Sequence, residues 1–179
     1  MSATPSDELV ALGLGSCIGL AIVDGPAGIA GLAHIVLPEA VGNRDEPGKY
    51  ADTAVPELVA RMRAAGAVVR RLEAVLVGGA HMFATSGSLD IGSRNEEAVR
   101  AQLRRVRIPV RAAQTGGTQG RTLRVVAGGC EVSARVAGEQ PQTLLEGTRG
   151  ASGRPLAASR YGGAAHGPVT RAVCEGVGL

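Results

Sequence analysis

Apolar residues open this chain in short runs, at 10–14, 18–23 and 28–37, with glycine, serine or proline between them. Runs of this length, rich in Val, Ile and Leu and bounded by turn formers, predict β-strands. Asp24-Gly25-Pro26 marks a reversal, so the second and third runs are expected to form an antiparallel hairpin. Residues 41–49 are polar, with glycine and proline, and read as a loop. The spacing then becomes helical over 53–65, where Val55, Leu58, Val59 and Met62 form one stripe and Gly66 supplies a stop. Pro56 falls in the first turn of that expected helix, where a missing N–H is tolerated. Residues 72–77 read as a strand ending in Gly78-Gly79. Ser93-Arg94-Asn95-Glu96 has the form of a capping box, opening a helix whose inner face is Val99, Leu103 and Val106. Strands at 110–113, 123–126 and 132–136 complete the pattern, which is that of an α/β domain. Past Gly138 the periodicity stops and Gly, Ala, Ser and Arg dominate. Residues 1–138 are expected to form one domain and 139–179 a flexible tail.

Composition narrows the chemistry. Tyr50, Phe83 and Tyr161 are the only aromatics in 179 residues, too few for a stacking platform on single-stranded nucleic acid. A net charge of +3 calls for no polyanionic partner. Arg100, Arg104, Arg105, Arg107 and Arg111 are interleaved with apolar positions and read as a solvated face, or as a docking face for an acidic helix. Cysteines at 17, 130 and 174 suit neither a disulfide scaffold nor a zinc site, and fit a reducing cytoplasm. No basic segment precedes an apolar core at the start, and no apolar run approaches ~18 residues, so neither export nor membrane insertion is expected.

The chemistry-bearing feature is Cys17, in Leu12-Gly13-Leu14-Gly15-Ser16-Cys17-Ile18-Gly19, followed by His34 in Ala33-His34-Ile35-Val36-Leu37-Pro38. A thiol becomes a good nucleophile when a base removes its proton, and a histidine is the usual base. If 18–23 and 28–37 form a hairpin, Cys17 and His34 fall almost opposite each other, ~5 Å apart at Cβ. Gly15 is expected to turn the chain so that Cys17 points outward, with amides from Gly15, Ser16 and Ile18 free for an oxyanion. The bland reading makes Cys17 a small buried residue and His34 a core histidine. The glycine turn and the shared register favour a nucleophile and its base. His81, beside Gly78-Gly79, is expected at the rim of the site, with Ser93, Arg94 and Asn95 either rimming it or capping a helix. Gly116-Gly117-Thr118-Gln119-Gly120-Arg121 lacks the lysine of a P-loop and reads as a turn near the site. Cys130, Cys174 and His166 read as incidental.

These segments resemble the CheD family of chemoreceptor glutamine deamidases, in its Gly-Ser-Cys turn and Ala-His-x-x-Leu-Pro segment. The likeness continues through Lys49-Tyr50-Ala51-Asp52, Gly78-Gly79-Ala80-His81-Met82-Phe83, Ile91-Gly92-Ser93-Arg94-Asn95 and 116–121, covering roughly residues 9–137. The resemblance implies a β-sandwich-like core flanked by helices and deamidation of receptor glutamines through a Cys17 thioester. It implies no metal or organic cofactor. The expected partners are methyl-accepting chemoreceptors and a CheC-like phosphatase. The chain departs from the family pattern at two positions. An acidic residue common before the Thr-Gly-Gly is Gln114, and the threonine that orients the catalytic histidine is Ala11. Ala11 cannot hydrogen bond through its side chain, so Ser16, Thr53 or a backbone carbonyl would have to substitute. Two alternatives stand beside the deamidase. One is a catalytically weakened regulator that binds receptor or phosphatase; the other is a different thiol-dependent hydrolase or redox protein.

Overall fold

The computed structural model describes residues 8–41, 46–81 and 90–147. In chain order the regular elements are β1 (Glu8–Leu14), β2 (Ile18–Asp24), β3 (Ile29–Ile35), α1 (Ala51–Ala64), β4 (Glu73–Gly78), α2 (Ile91–Arg105), β5 (Val110–Thr115), β6 (Arg121–Val126), β7 (Glu131–Val136) and β8 (Gln142–Leu145). They build two four-stranded sheets, ordered β1-β6-β7-β8 and β3-β2-β4-β5. The first is antiparallel throughout; in the second, β4 and β5 run parallel. The expected α/β class with a sandwich core is what forms, and both helices cover one face of the second sheet.

β2 explains the layering. All seven of its residues are buried, because this strand is covered on both faces. Ile18, Leu20 and Ile22 pack with Val55, Leu58 and Met62 of α1 and Val99 and Leu103 of α2. Ala21 and Val23 pack the other way, with Leu9, Leu14, Leu123 and Val132 of the first sheet. A side chain at Gly19 has no room, since its Cβ would stand 2.6 Å from Leu14 Cδ1 and 2.9 Å from Leu123 Cδ2. The two sheets therefore come close where the site begins.

Three boundaries differ from the sequence reading. α1 starts at Ala51 rather than at 53, which places Pro56 two residues deeper, in the second turn. Pro56 is exposed, so the carbonyl it cannot serve lies on the solvent side. α2 starts at Ile91, capped by Asp90, whose Oδ1 accepts from the Ser93 N–H at 3.1 Å. Ser93 is thus inside the first turn, and the capping box expected at Ser93 gives way to an Asx cap three residues earlier. Finally, β8 pairs with β7 beyond Gly138, and Leu144 and Leu145 pack against the inter-sheet core. The folded chain continues past the expected boundary, while 148–179, including His166 and Cys174, lies outside the described residues.

Candidate active site

His34 lies in β3, and Cys17 immediately precedes the adjoining strand β2. The β2–β3 ladder runs from Ile18↔Ile35 and Gly19↔His34 to Asp24↔Ile29. His34 therefore faces Gly19, and Cys17 lies two residues along, a diagonal rather than a directly opposite neighbour. The hairpin turns one residue away from the symmetry that the spacing suggested, through a tight turn over Gly25–Ala27 closed by left-handed Gly28. The shared face survives this shift. Gly19 faces the layer between the sheets, so its cross-strand partner His34 does too, and Cys17 packs against the inter-sheet core. Diagonal neighbours stand ~7 Å apart or less at Cβ, a gap that a thiol and an imidazole can span. Both side chains are half-buried. Burial lowers the His34 pKa from its ordinary 6.5, favouring the neutral ring that can accept a proton.

The turn before Cys17 is built differently from the expectation. Its left-handed residue is Gly13, with φ 66°. The Gly15 N–H donates to the Gly13 carbonyl at 2.9 Å, which removes that amide from any oxyanion hole. Ile18 has strand partners on both sides, Ile35 and Gly78, so the sheet takes up its amide as well. The carbonyls of the turn are pinned by the end of β4: Gly79 N–H donates to Cys17 O at 2.8 Å, and Ala80 N–H to Gly15 O at 2.7 Å.

This contact depends on Gly78. Its φ is +115°, and an added Cβ would lie 2.2 Å from the carbonyl oxygen of Cys17. Neither backbone can yield without breaking the Gly79–Cys17 bond. Gly78→Ala is expected to cost at least ~2 kcal/mol of stability, read by urea unfolding. Any folded fraction should show slowed alkylation of Cys17. Wild-type values for both would contradict this view of the turn.

The remaining candidates divide. His81 is half-exposed; its N–H donates to Gly117 O at 2.7 Å, and its ring Nδ1 lies 2.8 Å from Asp90 Oδ1. It thus joins the end of β4 to the cap of α2. Hydrogen bonds from the Ser93 hydroxyl and N–H, with His81 nearby, hold the Asp90 carboxyl below its usual range. Arg94 is exposed. Asn95 is not a rim residue: it is fully buried, and its Nδ2 bonds Ser16 O and Val36 O. The residues 116–121 do form a turn beside the site, where Gly116 N–H meets Gly78 O and Arg121 Nη1 holds Gly116 O at 2.7 Å. Gln114, in the position of the family's acid, donates to Gln142 Oε1 at 3.2 Å and links the edge strands of the two sheets.

Ala11 is fully buried in β1, opposite Leu123, in the same inter-sheet layer as Cys17. Thr53 does not replace the missing hydroxyl, because its Oγ1 is taken up by Pro47 O at 2.7 Å and Tyr50 O at 3.3 Å. At the opposite end of β2 lies a feature the sequence reading missed. Asp24 is fully buried and accepts from Arg71 Nε and Nη2 and from the Val68 N–H. A lone acid closing an apolar strand was the available signal. Cys130 packs nearby, and burial pushes its thiol up to about 11, so it has little thiolate character at neutral pH.

Comparison with known proteins identifies the family. A family model described as CheD chemotactic sensory transduction matches residues 36–136. The chain is 46% identical over 115 residues to the chemoreceptor glutamine deamidase CheD of Thermotoga maritima, covering 64% of this chain and 73% of that protein. It is 49% identical over 127 residues to the probable chemoreceptor glutamine deamidase CheD of Symbiobacterium thermophilum, covering 68% and 77%. To the Clostridium novyi protein of the same description it is 44% identical over 126 residues, covering 68% and 78%. With the family model spanning more than half of its length and a relative this similar, the chain belongs to the CheD family.

Proposed function

We propose that this protein is a cytoplasmic deamidase that converts glutamine side chains of methyl-accepting chemoreceptors to glutamate, as its relatives' descriptions suggest. The observation that carries the reading is the placement of Cys17 and His34 on one face, at adjoining strand ends. His34 accepts the thiol proton as sulfur attacks the amide carbon of the glutamine. Of the expected turn donors, the Ser16 amide is the one assigned to the developing oxyanion. The His34 imidazolium then protonates the departing nitrogen, which leaves as ammonia and gives a thioester. A water that loses its proton to His34 attacks this thioester, releasing glutamate and restoring the Cys17 thiol. Net, one water is consumed and one ammonia produced, without a cofactor.

A second reading is favoured by Ala11: a family member that engages receptor or a CheC-like phosphatase while turning over slowly. A base free to choose its tautomer can lose orders of magnitude in rate. Ammonia release from a receptor cytoplasmic fragment separates the readings. The deamidase reading expects release by wild type and none by Cys17→Ala. Release only after Ala11→Thr would favour the binding regulator.

The lowered pKa of His34 sets the acid limit of the reaction. The base is effective when neutral, so kcat/KM should rise with pH and reach half its plateau below 6.5. Because thiol and imidazole titrate as a pair, this midpoint belongs to the dyad. A pH–rate profile with its acid midpoint above 6.5 would contradict a buried neutral imidazole.

A further inference from the structure

The β2–β3 ladder ends at Ile18↔Ile35, yet the segments carrying the reactive groups extend past it. Ser16 precedes Cys17, and Val36 follows His34 by two residues. Asn95 bridges them. Its Nδ2 donates to Ser16 O at 3.0 Å and to Val36 O at 2.8 Å, across sequence separations of 79 and 59 residues. Two carbonyl acceptors fix which end of the carboxamide faces them, since only the NH2 can donate twice.

Asn95 and Asp24 are the fully buried polar side chains among the described residues, one at each end of β2. Asp24 has its oxygens satisfied. The Oδ1 of Asn95 has no partner among the described residues. A buried acceptor left unsatisfied costs roughly 1–3 kcal/mol, so stability alone is a poor reason for an asparagine at this position. The helix that presents it is held close. Gly92 packs against the chain at Gly79, where a Cβ would stand 2.5 Å from the Gly79 oxygen, and the His81–Asp90 pair ties β4 to the cap. The position of Asn95 is thus dictated by the same backbone that pins Cys17 O.

We propose that Asn95 is a positioning residue for the Cys17–His34 pair: its carboxamide holds the Ser16 and Val36 carbonyls together and so fixes the thiol relative to the imidazole. For turnover this rests on the deamidase reading; for thiol reactivity it does not. Asn95→Leu keeps the shape and loses both donated hydrogens. Asn95→Ser keeps one donor, on a shorter arm. In Asn95→Leu, kcat on a receptor fragment is expected to fall about 10- to 100-fold with KM within about twofold, as expected for a small misplacement of reacting groups. The pH midpoint for iodoacetamide alkylation of Cys17 should move upward, because the histidine no longer supports the thiolate. Asn95→Ser should fall between the two proteins. Lower melting temperature with unchanged kcat and alkylation profile would overturn the proposal in favour of simple packing.

If neither variant folds, the wild type still tests it by nuclear magnetic resonance. The side-chain NH2 of Asn95 should exchange more slowly than that of exposed Gln119 and shift when Cys17 is alkylated. Equal exchange and no shift would overturn it. Absence of receptor deamidation by wild type would sink the deamidase reading, while the alkylation profile would still decide the role of Asn95.

Discussion

Cys17→Ala should reduce glutamine conversion by at least ~1,000-fold, because in the proposed mechanism the acyl intermediate forms on this thiol and its loss leaves only binding. Cys17→Ser should be nearly as inactive, since a hydroxyl is far harder to deprotonate than a thiol. Stability should barely change: Cys17 is half-buried, and the substitution removes one sulfur, worth within ~1 kcal/mol. The effect is therefore chemical and not a loss of fold. Iodoacetamide offers an independent check in a Cys174→Ser background. Cys17 should be modified readily, whereas Cys130, buried and with a pKa pushed up to about 11, should stay unmodified in the folded protein. Peptide mapping after a timed pulse reads both. Activity retained in Cys17→Ala would remove the thiol from the mechanism.

Asp24→Ala should produce the largest loss of stability without touching the reactive groups. Asp24 gathers the Arg71 guanidinium through Nε at 2.9 Å and Nη2 at 2.8 Å, and also accepts from the Val68 N–H at 2.8 Å. These contacts fasten the segment before β4 to the end of β2. Without the carboxylate, Arg71 can turn to water, because its side chain is already 41% exposed. The Val68 N–H loses its partner. A cost of ~2–3 kcal/mol follows, below the range for a fully buried pair. For a domain of this size it corresponds to a fall of roughly 6–10 °C in melting temperature. The pH dependence has a defined sign. Burial alone would raise the Asp24 pKa, but Arg71 and the Val68 N–H outweigh it and hold the carboxyl below 3.8. Its stabilisation is therefore present above pH 3.8 and is lost as pH falls through the folded value. Acid unfolding of Asp24→Asn should be shallower than that of wild type in this window. An unchanged melting temperature in Asp24→Ala would show that the clamp contributes nothing.

How much of this was legible in the sequence follows from which interactions are local. Strand runs and helical stripes report burial directly, so β2, β3, β4 and both helices could be read from spacing. The β2–β3 hairpin could also be read, but its register shifted by the tight turn at Gly25–Ala27, which periodicity does not count. Caps shifted for a similar reason. Asp90 and Ser93 both fit capping chemistry, and only the packing of Gly92 on Gly79 decides where α2 enters. β8 is short, with just Leu144 and Leu145 turned toward the core, too weak a pattern to stand out from polar sequence. The partners of Asn95 and Asp24 were not legible, because they lie 44 to 79 residues away, although the lone acid closing β2 was a signal for Asp24. The shared face of Cys17 and His34 was legible because both sit in glycine-marked or apolar contexts where a polar side chain is conspicuous.

The most direct test of the account is site-resolved mass spectrometry of a chemoreceptor cytoplasmic fragment incubated with wild type and with Cys17→Ala. The account predicts glutamine-to-glutamate conversion at discrete positions with wild type, and none above the protein-free control with Cys17→Ala. Conversion of equal extent by both proteins, or none by wild type under conditions where it binds the fragment, would contradict it.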